Sequence, residues 1–481
     1  GLSMGINKEN IARVVPEHLE TDHEFVRRLD SLLKDAWVPV SRAEVSDIID
    51  GDYERYQKEA SIYYSKIRIN AAEIERLKEI RQLGNGLNRQ TRLLLKQFHH
   101  TESYQSMHQK QIEVHRKWKD EVSKLSYGSY MGAAALREAY YLHSNARASI
   151  DKALHEKDYE LAGLILSEID IGKKANRENG QQYARKKLYK IDDEITLDEI
   201  PSHILRLRLA LGSSQVENKP WDYSSLEDEF IVKPIDAPKQ AAYYLGHSDL
   251  YEQLTVRIPI GHKAIDRCVQ ICPPDEVVVI VHEPALFWSY DLSIPFHESG
   301  HGIHFVGMSK DTFFVERISL SAWNEAMAFL YEDLMLEPNV LIRNSNPDAL
   351  DRLRKDHMGR RLRSLFSSLE HLEIAQILYD EHDESREDLE RRLLTIHNQY
   401  HPNEKGTNPY WWASDLYIAE YPFYDFHYIN GWMVAAQIRA WWKQTHSEPL
   451  LSKAFGDFLQ EKCYAPGNSI PWRQLLKDIT G

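Results

Sequence analysis

The stretch Phe296-His297-Glu298-Ser299-Gly300-His301 constrains the fold more than any other. Two histidines four residues apart come within reach of one ion when the backbone between them is helical, where that step advances about 6 Å along a single face. Neutral imidazole nitrogens suit zinc, and a set of three protein ligands leaves one position for a water whose pKa falls to about 7. Glu298, next to the first histidine, is placed to take that water's proton. A third ligand has a candidate downstream, where Trp323-Asn324-Glu325-Ala-Met-Ala-Phe329-Leu330 combines an apolar helical pattern with an acid near its start. Glu325 lies 24 positions after His301, enough for one helix to end, a loop to turn and a second helix to return antiparallel. A lone carboxylate in so apolar a helix calls for a cation. The longer zinc pattern H-E-x-x-H-x-x-G-x-x-H fails, because His304 and Gly307 stand where it needs glycine and histidine.

Length and charge bound the rest. With 481 residues the chain can form two or three domains, or one large helical body split into lobes. A net charge of -14 describes an acidic globular protein and argues against nucleic acid or an anionic membrane as partner. Three cysteines, Cys268, Cys272 and Cys463, are too few for a disulfide framework, so a reducing, cytoplasmic setting is expected. The Cys268-x-x-x-Cys272 pair is read as structural rather than as a redox or metal half-site. No apolar run reaches membrane-spanning length. The opening Gly-Leu-Ser-Met4 carries no signal pattern and reads as an expression scar, which leaves a removed leader open.

From about residue 20 to 230 the apolar spacing predicts helix after helix. Tyr104, Met107, Val114, Trp118, Val122 and Leu125 recur at helical steps and predict one long helix over 91–125. Its histidines, His99, His100, His108 and His115, are read as solvated. Gly84-Asn-Gly86 precedes that helix and Tyr127-Gly128-Ser129-Tyr130 ends it, with further helices near 131–156, 157–190 and 196–212. Composition shifts after Gly212-Ser-Ser214, dividing an N-terminal helical lobe, 1–214, from a zinc-binding lobe, 215–481. The best strands are 254–258 and 276–281, rich in β-branched residues. An edge strand of this small sheet would pair with an extended peptide, or the sheet would simply brace the core. His282-Glu283 is followed by Pro284, so no helix presents it. Helices are predicted over 347–380 and 386–400, the second capped by Ser385. His397 and His401 stand four apart, but Pro402 follows and no acid flanks them, so they read as a helix end. Finally, 417–432 is dense in tyrosine. Helical spacing puts Tyr424 and Tyr428 on one face, and a phenol beside a metal can donate to a developing oxyanion.

These motifs resemble the helical zinc metallopeptidases that include thimet oligopeptidase and oligoendopeptidase F, with angiotensin-converting enzyme and carboxypeptidase Taq as more distant relatives. Phe296-His297-Glu298-Ser-Gly300-His301-Gly-Ile-His304 is similar to their H-E-x-G-H-x-x-H, Trp323-Asn324-Glu325 to the third-ligand segment, and Tyr421-Pro-Phe-Tyr424-Asp-Phe-His-Tyr428 to the late tyrosine segment. The resemblance implies a mostly α-helical, two-lobed gluzincin fold with a small sheet near the zinc helix and a deep channel that admits short peptides. It implies one zinc ion held by His297, His301 and Glu325, with Glu298 as general base and Tyr428, supported by Tyr424, facing the substrate carbonyl. One feature departs. The relatives carry a histidine eight or nine positions before that tyrosine, and 418–420 holds none, leaving His427 or His401 as substitutes. That gap motivates one alternative, an inactive relative that binds a peptide; a helical scaffold with a chance H-E-x-x-H is the other.

Overall fold

In the computed structural model the described residues are 19–84, 86–98, 103–211, 228–259, 266–284, 289–402 and 406–481. Capped amphipathic segments build the first half. α1 (Asp22–Asp50) starts under Thr21, whose hydroxyl accepts from the Glu24 amide while the Glu24 carboxylate reaches back. α2 (Tyr53–Lys66), α3 (Ala71–Gln82), α4 (Asn88–Gln97) and α5 (Ser103–Lys124) follow. The long helix expected over 91–125 is thus two, because Phe98 leaves α4 in an extended conformation with ψ 142°. Its apolar stripe begins at Tyr104, inside α5, and so carries no information about the junction. His99 and His100 lie outside the described residues. His115 is not solvated: its Nδ1 meets Glu168 Oε2 at 3.0 Å and its ring stacks on Trp118. Burial opposes its protonation, but Glu168 and Glu420 outweigh that and raise its pKa to about 9.

β1 (Ser126–Tyr127) and β2 (Tyr130–Met131) pair across the turn that closes α5. α6 (Ala133–Leu142), α7 (Arg147–His155), α8 (Asp158–Glu178), α9 (Tyr183–Ile191) and α10 (Ile200–Leu211) come next, so the spans 131–156 and 157–190 each break once. After α11 (Ala237–Leu245) and α12 (Ser248–Glu252) come β3 (Thr255–Arg257), β4 (Arg267–Cys272) and β5 (Glu276–Ile280). The sheet order is β3-β5-β4, with β3 parallel and β4 antiparallel to β5. β5 is therefore the central strand, and its backbone has no edge to offer a peptide. β4 was not among the expected strands; it is the segment of Cys268 and Cys272, both of which are free thiols. α1 covers this strand, its Trp37 indole donating to the Gln270 carbonyl at 2.9 Å. His282, beyond β5, faces Asp266 at 3.0 Å and is presented by no helix.

The site-bearing part comprises α13 (Ser289–Val306), α14 (Phe314–Ile318), α15 (Ala322–Asp333), α16 (Pro347–Tyr379), α17 (Arg386–Tyr400), α18 (Leu416–Ala419), α19 (Asp425–Thr445), α20 (Lys453–Phe458) and α21 (Trp472–Thr480). α16 and α17 match the expected spans to within a residue, and Ser385 caps α17 by accepting from the Asp388 amide. One hydrophobic core joins the sheet to α13, α15 and α19 through Val279, Phe296, Ile303, Trp323 and Val434. A second joins α5, α8 and α19 through Trp118, Ile165 and Phe426, and α16 serves both, with Leu353 in the first and Leu372 in the second. The fold is mostly α-helical with a small sheet. No helix among the described residues is long and apolar enough to cross a membrane.

Two glycines set the spacing at the centre. A Cβ on Gly300 would lie 3.0 Å from the Ala328 Cα and 2.7 Å from the Tyr331 Cβ, so α13 and α15 touch backbone to backbone there. A Cβ on Gly431 would lie 2.7 Å from the Glu325 Cβ and 2.9 Å from the Ala322 carbonyl oxygen, which brings α19 equally close on the opposite side. α15 is consequently enclosed, and every one of its residues is buried.

Candidate metal centre

α15 begins at Ser321, which accepts from the Trp323 amide while its own amide donates to Asn324 Oδ1 at 2.7 Å. Asn324 is therefore a cap and not a ligand, and the next residue, Glu325, faces α13. There its Oε2 lies 3.2 Å from His297 Nε2 and 3.3 Å from His301 Nε2. The two imidazoles are one helical turn apart, with ring centroids 4.9 Å apart and planes at 83°. One donor atom from each of the three residues lies within 4.8 Å of the other two. The expected convergence of His297, His301 and Glu325 from two helices is what the structure contains.

The donor set fits zinc. Glu325 is 2% exposed, its Oε1 accepts from the Tyr424 hydroxyl at 2.7 Å, and its Oε2 has no hydrogen-bond donor. An orphaned, buried carboxylate oxygen turned toward two imidazole nitrogens is costly unless a cation stands among them. Burial alone would raise the Glu325 pKa, but the neighbouring His301 and His297 outweigh it and hold the carboxyl well below its usual range. The position is built to be anionic and to be answered by positive charge. Glu298 is half-buried on the same turn as His297, and burial pushes its carboxyl above the ordinary range. That makes it more basic than a surface carboxylate, as suits a proton acceptor.

The residues around His297, His301 and Glu325 include some whose role the sequence does not reveal. Glu332, two turns after Glu325, places Oε1 3.2 Å from His297 Nδ1, which directs Nε2 toward Glu325. Glu332 is held in turn by Arg361 and by His357 at 3.1 Å, and Arg361 also contacts Asp333 at 2.6 Å. The only sequence signal was the seven-residue interval from Glu325, which puts both acids on one face of α15. Replacing Glu332 by glutamine removes the charge but keeps the volume, and zinc affinity is expected to fall by about 10- to 100-fold in a competition titration with a chromophoric chelator.

Tyr424 and Tyr428 are brought together, with ring centroids 5.2 Å apart, but they are not equivalent. Tyr424 is committed to Glu325, whereas the Tyr428 hydroxyl pairs with that of Tyr417 at 2.9 Å. The Tyr428 ring packs on Phe329, which lies against His297, so it stands one side chain away from that imidazole. Burial raises the pKa of both phenols well above the usual value, keeping them protonated donors. Of the two candidate substitutes for the missing histidine, His427 is buried against Tyr424, ring centroids 4.9 Å apart, and burial lowers its pKa to about 4. His401 faces Glu370 instead, at 2.9 Å. Tyr417, eleven positions before Tyr428, is the group that meets its hydroxyl. His304 takes no part in the cluster; it is fully buried against Phe305 and Tyr464.

No family model matches this chain, and no curated protein matches it. Solved structures do. The M32 carboxypeptidase from Deinococcus radiodurans R1 aligns with a TM-score of 0.59 at 12% identity, covering 96% of this chain and 95% of that one. Metallocarboxypeptidase 1 of Trypanosoma cruzi aligns at 0.60 and 14%, covering 95% and 96%. PZ peptidase A, solved with an inhibitor, aligns at 0.66 and 13%, covering 94% and 92%. Over nearly its whole length, then, the chain has the fold of these peptidase structures, with the His297, His301 and Glu325 cluster at its centre.

Proposed function

We propose that the chain is a zinc metallopeptidase that hydrolyses peptide bonds in short peptides. The observation that carries this reading is the convergence of two imidazole Nε2 atoms on an otherwise unanswered oxygen of Glu325, with Glu298 on the turn between the two histidines. Zinc held by His297, His301 and Glu325 would supply Lewis acidity, making water a nucleophile near neutral pH and polarising the scissile carbonyl. Glu298 accepts the proton of the attacking water and passes it to the leaving amine nitrogen. The Tyr428 hydroxyl donates to the carbonyl oxygen as charge develops there, and Tyr417 aligns that hydroxyl. Tyr424 fixes the Glu325 carboxylate and Glu332 fixes the His297 ring.

Substrate size follows from depth. The ligand side chains are 15%, 11% and 2% exposed, so a substrate backbone must enter the fold to reach them, which a short, extended peptide can do and a folded protein cannot. The motifs favour the thimet oligopeptidase and oligoendopeptidase F type of cleavage, while the carboxypeptidases among the aligned structures favour release of C-terminal residues. Incubating the zinc-loaded protein with peptides of graded length, with free and amidated C-termini, and identifying products by mass spectrometry separates the two. Loss of single residues only from free C-termini marks a carboxypeptidase, internal cuts an oligopeptidase, and no product from any peptide defeats the proposal. Tyr428→Phe is expected to lower kcat by about 100- to 1,000-fold with little change in KM, the effect of removing one oxyanion donor, checked by steady-state kinetics on the best peptide.

A further inference from the structure

His397 and His401, which read in sequence as a helix end, meet Glu370 of α16 in the fold. Glu370 Oε1 lies 2.7 Å from His397 Nδ1, and Glu370 Oε2 lies 2.9 Å from His401 Nε2. The imidazole centroids are 4.5 Å apart, and one donor atom from each of the three residues lies within 4.8 Å of the others. The composition and spacing repeat those of His297, His301 and Glu325: two histidines at a four-residue interval on one helix end, and a buried glutamate on a facing helix. We infer that Glu370, His397 and His401 form a second zinc site, independent of the first.

Several features of its surroundings support a built site. The Glu370 side chain is 4% exposed while that of His401 is 39% exposed, so the carboxylate is sheltered and the ion has a way in. Trp411 stacks on His397 with centroids 4.3 Å apart, holding the ring in place before any ion arrives. A further cluster among the described residues, Glu332, Asp333 and His357, lacks this character, because Arg361 and Arg439 already answer its carboxylates and would repel a cation. At Glu370 both oxygens face imidazoles, the ring type that suits zinc. The site would be structural rather than hydrolytic. The residue after His397 is Asn398, whose amide is occupied by the backbone of Gly406, so no carboxylate stands where Glu298 stands beside His297. An ion here would tie α16 to the end of α17. The residue next to Glu370, His371, contacts Asp415 at 3.0 Å and Asp425 at 3.4 Å, so the joint lies beside the segment that carries Tyr417 and Tyr428.

The test is a comparison of zinc content after chelator stripping, zinc reloading and gel filtration, for wild type and for His401→Ala, Glu370→Gln and Glu325→Ala. His401→Ala and Glu370→Gln should each bind one equivalent less than wild type, or bind it about 100-fold more weakly, the share of one ligand where three side chains and a water complete the coordination. Glu325→Ala should keep that equivalent, and His401→Ala should hydrolyse peptide at the wild-type rate. Equal zinc content in wild type, His401→Ala and Glu370→Gln overturns the inference. Because the readout is a difference between variants, it stands whether or not the site at Glu325 holds zinc.

Discussion

A Glu298→Gln protein is expected to lose about 100- to 10,000-fold in kcat/KM while keeping its zinc, the range associated with removing a positioned proton acceptor. The substitution is nearly isosteric, so His297 and the packing of α13 are undisturbed. Glutamine cannot take a proton at neutral pH, and the amide is a poor acceptor for the attacking water. The structure supplies the reason for a large effect: burial makes Glu298 more basic than an ordinary carboxylate, and it sits on the turn that carries His297. Steady-state kinetics on a quenched peptide, paired with metal analysis, reads the outcome. Full activity in a zinc-replete Glu298→Gln protein would remove Glu298 from the mechanism.

Removing Glu325, the proposed third ligand, should be as damaging and should show in a different quantity. With about 12 kcal/mol of zinc binding shared among four ligands, loss of one costs about 3 kcal/mol, so Glu325→Ala is expected to weaken zinc at this site about 100-fold and to abolish hydrolysis at ordinary zinc concentrations. The fold should survive. Taking out a 2% exposed carboxylate relieves its desolvation, which offsets the loss of the Tyr424 hydrogen bond to that charge, about 1.5 to 3 kcal/mol. Circular dichroism checks the fold and chelator competition the affinity. A Glu325→Ala protein with native zinc affinity at the His297 and His301 pair would show that the ion, if bound, uses another third ligand.

Much of the site was legible before the fold. The interval from His297 to His301 and the apolar pattern after Trp323 follow from helical periodicity, a local property that survives in any helical setting. The helices at Pro347–Tyr379 and Arg386–Tyr400 were legible for the same reason, because long amphipathic runs with polar caps leave little choice. β4 was not. Its Arg-Cys-Val-Gln-Ile-Cys sequence is buried on both faces, so the alternation that marks a half-exposed strand is absent. The break after Gln97 was also hidden, since the apolar stripe that defines α5 starts beyond it.

Tyrosine spacing shows how far periodicity reaches. It places Tyr424 and Tyr428 on a common face, and the rings do meet, edge to face, yet only the fold assigns one hydroxyl to Glu325, 99 positions away, and the other to Tyr417. The histidines at 397 and 401 make the same point from the opposite direction, for the acid that answers them lies on α16, 27 positions before the first, and no acid stands next to them in sequence. By itself the chain order determined which side chains share a helix face and therefore which pairs could hold an ion. Tertiary packing decided which third group arrives and which hydroxyl is left over, because those distances depend on how closely separate helices approach. At α15 that approach is set by Gly300 on one side and Gly431 on the other.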